Sequence, residues 1–88
     1  MIFISLFKFR QKPTKENIAE SSKLFEIEKK EGIKYLGMYW TLGRYDGVSI
    51  MEAPDEKTVM KSAIRRGSVI KIETLVAVPA EEARKLVE

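Results

Sequence analysis

Apolar residues open the chain on both alternating sets: Ile2, Ile4 and Leu6 fall on one side of an extended segment, and Phe3, Phe7 and Phe9 on the other. A strand covered on one face alone would alternate with polar residues, so this one asks for cover on both. Gln11-Lys12-Pro13-Thr14 breaks it. Pro13-Thr14 then starts a helix from about Thr14 to Glu31, with Gly32 placed to stop it. Ile18, Ser22 and Phe25 share one side of that helix, with Ser21 close by, whereas Leu24 and Ile27 fall away from the stripe.

Ile33 to Leu42 reads as a second strand, with Tyr35, Gly37, Tyr39 and Thr41 on one face and Leu36, Met38, Trp40 and Leu42 on the other. A hairpin turn lies within Gly43-Arg44-Tyr45-Asp46-Gly47. Asp46-Gly47 is a good turn pair, but a turn at Gly43-Arg44 gives the third strand a normal length and is preferred slightly. That strand ends near Ala53. Pro54-Asp55-Glu56 opens a second helix, with Asp55 as N-cap, and Arg65-Arg66-Gly67 closes it. Val59, Met60, Ala63, Ile64 and Gly67 form its apolar stripe. A fourth strand runs from about Ser68 to Val78 and aligns Ile70, Ile72, Val76 and Val78. Pro79-Ala80-Glu81-Glu82 then begins a short terminal helix expected to dock through Ala83, Leu86 and Val87.

The order βαββαβ predicts an α+β domain of the ferredoxin-like type, a four-stranded antiparallel sheet with both main helices on one face and a short C-terminal helix. Such an arrangement leaves the other face bare. Phe3, Phe7, Phe9, Met38 and Trp40 are the candidates for that face, and they are too apolar for water. A second copy packed sheet to sheet is the simple remedy, so a homodimer or higher oligomer is expected.

Eighty-eight residues allow one domain, residues 1–88, with a thin core. There is no cysteine and no histidine, which removes disulfides, thiolate metal sites, His-dependent triads and most zinc centres. Sixteen Lys and Arg against 13 Asp and Glu leave a net charge of +3, with the cations scattered among acids as in Glu26-Ile27-Glu28-Lys29-Lys30-Glu31. That pattern describes a solvated helix face better than a nucleic-acid footprint. High Lys and Glu content, with Gln11 and Asn17 the sole amides, hints at a thermophilic source. The opening apolar run lacks a basic flank and is cut short by Lys8, which argues against an export signal or membrane span and for a cytoplasmic protein.

The chemistry-bearing residues are few. Arg44, Tyr45 and Asp46 could present a cation, a phenol and a carboxylate to a ligand. They could equally serve the turn itself, with Gly43 supplying positive φ, Asp46 capping, and Arg44 pairing with Asp46 or a partner subunit. Trp40, with Tyr35 and Tyr39, could line an aromatic cavity between subunits or simply pack. Glu52 is a further ligand-binding candidate. Asp55 reads as a helix cap, and Lys71 with Glu73 as an ion pair. No phosphate loop, metal-ligand spacing or nucleophile–base pair is visible, so neither cofactor nor metal is expected.

Thr41-Leu42-Gly43-Arg44-Tyr45-Asp46, followed by Glu52-Ala53-Pro54-Asp55, resembles the GYD domain family, small stand-alone proteins named for a Gly-x-Tyr-Asp signature. The similarity extends from the leading strand to the closing Thr74-Leu75 strand. It departs at Phe9-Arg10-Gln11-Lys12, where many relatives carry a tryptophan-containing motif. The resemblance implies a ferredoxin-like fold of the dimeric α/β-barrel grouping and leaves the activity open. Three functions follow for comparison. The first is a homo-oligomeric small-ligand binding or regulatory module with its cleft at the sheet–sheet interface. The second is a cofactor-independent enzyme of the dimeric α/β-barrel type, in which Arg44, Tyr45, Asp46 or Glu52 would move protons. The third, ranked last, is RNA binding, because Gly47-Val48-Ser49-Ile50-Met51-Glu52 lacks the aromatic and basic residues of an RNP1 strand.

Overall fold

The β-branched and aromatic run at the start of the chain forms β1 (Ile2–Phe9), and the Thr14 side chain caps α1 (Lys15–Lys30). Asn17 returns the bond to the Thr14 backbone, which completes a capping box. After Gly32, at φ +94°, come β2 (Lys34–Trp40), β3 (Gly47–Glu52) and α2 (Glu56–Arg66), the last capped by Asp55 on the Thr58 N–H. β4 (Ile70–Ala77) and the short α3 (Ala80–Arg84) complete the chain. This is a computed structural model, and it describes residues 1–87.

The four strands form one antiparallel sheet in the order β2-β3-β1-β4, the ferredoxin-like topology. β1 sits at the centre, paired with β3 on one side and β4 on the other. Phe3 faces Met51 across the ladder and packs with Ile33, Ala53 and Val59 of α2, with Tyr35 against this cluster. Phe3 is 1% exposed.

That placement corrects the assignment of faces. Phe3 and Phe7, expected on the bare face, lie beneath the chain's own helices, and Phe9, Met38 and Trp40 share their side of the sheet. Alternation divides a strand into two sets without saying which set the helices take. Here Phe7 is accommodated because Gly47 stands opposite it: a Cβ at Gly47 would overlap the Phe7 ring. The face left uncovered carries Ile2, Ile4 and Leu6, flanked by Ile50 and Val48 on β3 and by Leu75 and Ala77 on β4.

β2 departs from simple alternation as well. A bulge between Tyr35 and Gly37 makes Leu36 the extra residue, so Tyr35 joins Met38 and Trp40 on the helix side. Tyr39 stays on the open side, its ring over Gly37.

Both long helices are turned relative to their expected stripes. α1 directs Asn17, Ser21, Leu24 and Glu28 inward, and Ile18 is half exposed. α2 directs Val59, Ser62, Ala63 and Arg66 inward and leaves Met60 and Ile64 outside. The cause is a polar cluster between the helices. Glu28, 1% exposed, accepts bonds from Ser62, from the Tyr35 hydroxyl at 3.0 Å and from Arg66 Nη2 at 2.8 Å. Buried charges require such partners, and satisfying them fixes how each helix is rotated. α3 does not dock as expected: Leu86 and Val87 are more than four-fifths exposed.

Candidate functional site

The segment joining β2 to β3 is built from its own side chains. Gly43 takes φ +96°, and Thr41 bonds Asp46 O through its N–H and Tyr45 O through its hydroxyl, both at 2.8 Å. The turn therefore centres on the Gly43-Arg44 region, and Gly47 already belongs to β3. Asp46 closes the corner against β1. Its N–H donates to Phe7 O, and its carboxylate accepts the Phe9 N–H, each at 2.8 Å. The Asp46 carboxylate is thus engaged in holding the end of β1.

Tyr45 reaches over that end to donate its hydroxyl to Glu73 Oε2 on β4 at 2.8 Å. The bond to Glu73 raises the Tyr45 phenol above its ordinary range. Glu73 is bound to Tyr45 and not to Lys71, with which an ion pair was expected. The Arg44 guanidinium lies 5.9 Å from the Tyr45 ring centroid. Glu52 stands at the opposite end of β3, between Ile2 and Lys34. The five ligand-binding candidates are therefore not one constellation. Arg44, Tyr45 and Asp46 form a corner, Glu52 is remote from them, and Trp40 belongs to a separate site on the helix side.

That site is a cavity of about 230 Å³ between the sheet and the two long helices. Its rim is aromatic. Trp40 meets Phe9 edge to face at 5.2 Å, Phe9 meets Phe7 at 5.7 Å, and Phe25 meets Tyr35 at 5.1 Å. Its floor is unusual, because Ser49, Ser5 and Thr74 stand side by side on β3, β1 and β4. Ser5 is fully buried, and its hydroxyl lies 3.1 Å from that of Thr74. Ser21, Ser62 and Ala63 look down from the helices. Small side chains facing small side chains leave the space unfilled.

The charged groups on the cavity wall are neutralised. Arg66 gives two N–H groups to Glu28 and one to Ser21, and it stacks 4.7 Å over Phe25. Arg65 grips Glu31 with two bonds of 2.5 and 2.6 Å, and Lys61 joins from the other side at 3.0 Å. Those contacts lower the Glu31 carboxyl to about 2, Arg65 contributing most and Lys61 next. Burial, then the nearby Glu28 charge, pushes the Tyr35 phenol up. Sequence reasoning passed over Glu28, Ser62 and Arg66. The available signal was the four-residue step from Ser62 to Arg66, which follows Val59 along one helix side.

Among the described residues no group of three or more acidic side chains is placed to hold a metal ion, and no helix is long and apolar enough to cross a membrane. The GYD domain family matches residues 3–87. The chain is also similar to the "Glutamine synthetase and cystathionine beta-lyase binding protein" of Thermus thermophilus, 38% identical over 60 residues. That alignment takes in 65% of this chain and 62% of the relative, so the chain matches about three fifths of the relative's length. With the family signature at the corner that ties β1 to β3, and the match running through nearly every element of the fold, the chain belongs to the GYD domain family.

Proposed function

We propose that this chain is a regulatory binding module that acts as a homodimer and docks on other proteins. The observation that carries the reading is the uncovered sheet face. Ile2, Ile4, Leu6, Val48 and Ile50 lie there half-buried beside exposed Leu75 and Tyr39. Four strands about 4.8 Å apart, of six to eight residues rising about 3.3 Å each, present about 460 Å² on that side. Two such faces bury about 900 Å² in total, close to the roughly 1,000 Å² of a specific interface.

Protein partners are supported by the relative named for binding glutamine synthetase and cystathionine beta-lyase. A ligand-binding role is supported by the cavity under the helices, on the opposite side of the sheet from the proposed dimer face, rather than by a cleft between sheets. An enzymatic reading would have to dispense with Asp46, whose carboxylate is taken by the β1 backbone.

Two measurements test the proposal. Native mass spectrometry should give twice the mass of the 88-residue chain at micromolar concentration. Surface plasmon resonance with purified glutamine synthetase and cystathionine beta-lyase should give saturable binding to at least one. A monomer at all concentrations overturns the dimer, and flat responses to both enzymes overturn the docking role.

A further inference from the structure

Cores are packed as densely as organic crystals, so a space left between sheet and helices has a cause in the side chains around it. The gap under α1 and α2 is not an accident of one missing side chain. Three neighbouring strands each place a hydroxyl residue in the same row, Ser49, Ser5 and Thr74. The adjoining rows carry large residues, Phe3 with Met51 on one side and Phe7 on the other. Ser21, Ser62 and Ala63 then meet that row from above.

We propose that this space is a binding site for a small, uncharged, planar aromatic molecule carrying a hydroxyl or carbonyl group. Its size sets the first limit. An engineered cavity of roughly 150 Å³ takes up benzene, so about 230 Å³ matches a compact two-ring molecule. Its shape and rim set the second. Trp40, Phe9, Phe7, Phe25 and Tyr35 offer ring edges and faces to a flat guest. Its electrostatics set the third. The two cations on its wall, Arg66 and Arg65, are already paired with the Glu28 and Glu31 carboxylates, so an anionic guest would have to compete with them. The Ser49-Ser5-Thr74 row supplies the polar contact, since each hydroxyl can both donate and accept. This site is on the opposite side of the sheet from the dimer face and does not depend on it.

Trp40 is the one tryptophan of the chain and stands at the cavity, so its fluorescence reports occupancy directly. The probes are 1-naphthol and indole, with octanoate as an aliphatic anion for contrast, read by Trp40 emission and by titration calorimetry on the full chain. One molecule of 1-naphthol or indole per chain should bind in the micromolar range, with octanoate at least tenfold weaker. Ser49→Leu, which fills the floor, should weaken 1-naphthol at least tenfold while the free protein melts no lower. If Ser49→Leu fails to fold, Ala63→Leu closes the space from the helix side and decides the matter. Absence of heat and of any emission change up to millimolar probe would show a space holding only water, and would overturn the proposal. So would equal binding to a folded filled variant, or octanoate binding as tightly as 1-naphthol.

Discussion

Asp46 and Gly47 show how much of this fold rests on adjacent small groups. The Asp46 carboxylate holds the Phe9 N–H while its backbone holds Phe7 O, and Gly47 leaves room for the Phe7 ring. Asp46→Ala removes a charged acceptor from a half-buried N–H, a loss of about 1.5–3 kcal/mol. The melting temperature should fall by roughly 6–24 °C in a thermal scan followed by circular dichroism. A turn residue with a purely ligand-binding role would leave it unchanged. Gly47→Ala drives a Cβ into Phe7, and overpacking of this kind costs about 1–3 kcal/mol. Adding Phe7→Leu should recover part of that loss, which a double-mutant cycle by urea denaturation would measure. Local chemistry was legible at this scale: Thr14 and Asp55 cap their helices, and Gly32 and Gly43 take the positive φ values their positions imply. The orientation of Phe3 and Phe7 was not, because both faces of β1 are apolar. The same ambiguity concealed the bulge at Leu36, which moves Tyr35 to the helix side.

Between elements, two acidic residues of the first helix and its cap determine how α2 sits against α1. Glu28 is buried against Arg66, Ser62 and Tyr35, and Glu31 is held at the helix end by Arg65 and Lys61. Glu28→Gln leaves Arg66, whose side chain is 13% exposed, without its counter-charge. Breaking a buried pair in this way costs about 3–5 kcal/mol, whereas the double change Glu28→Leu with Arg66→Met should cost much less. Chemical denaturation of the two variants would show the difference. Glu31 gives a pH signature. Its carboxyl is lowered from 4.5 to about 2, so the stability it contributes is present above pH 4.5 and is lost as pH falls toward 2. Melting temperatures recorded from pH 6 to pH 2 should drop through that window, and the drop should be shallower in Glu31→Gln. The order and type of the elements were readable from helix formers, breakers and alternation. The inward stripes were not, because hydrophobicity alone puts Met60 and Ile64 inside, where the ion pair instead brings Ser62 and Arg66.

The molecule as a whole is a two-layer plate, 18 Å along its shortest axis, with both long helices on the same side of the sheet. That one apolar face would be left without helices was legible from the surplus of apolar residues on β1, although the residues nominated for it were those of the other face. Ile50→Lys tests the corrected face. It lies half-buried in the single chain, so the fold should survive, but in a two-fold interface the charge is introduced twice. Self-association measured by sedimentation velocity should weaken at least 100-fold, about 2.8 kcal/mol. Unchanged sedimentation would mean that the chains do not meet through this side.

β1 lies at the centre of the sheet and β4 completes it, so the earlier strand waits for one made much later. During synthesis Phe3, Phe7 and their neighbours gain β3 on one side first, and they stay unpaired on the other until β4 has left the ribosome. Closing so long a loop is slow relative to forming either helix. β1 is therefore unpaired until β3 emerges and half-paired until β4 follows, and a chaperone that holds apolar segments has its opportunity in that interval.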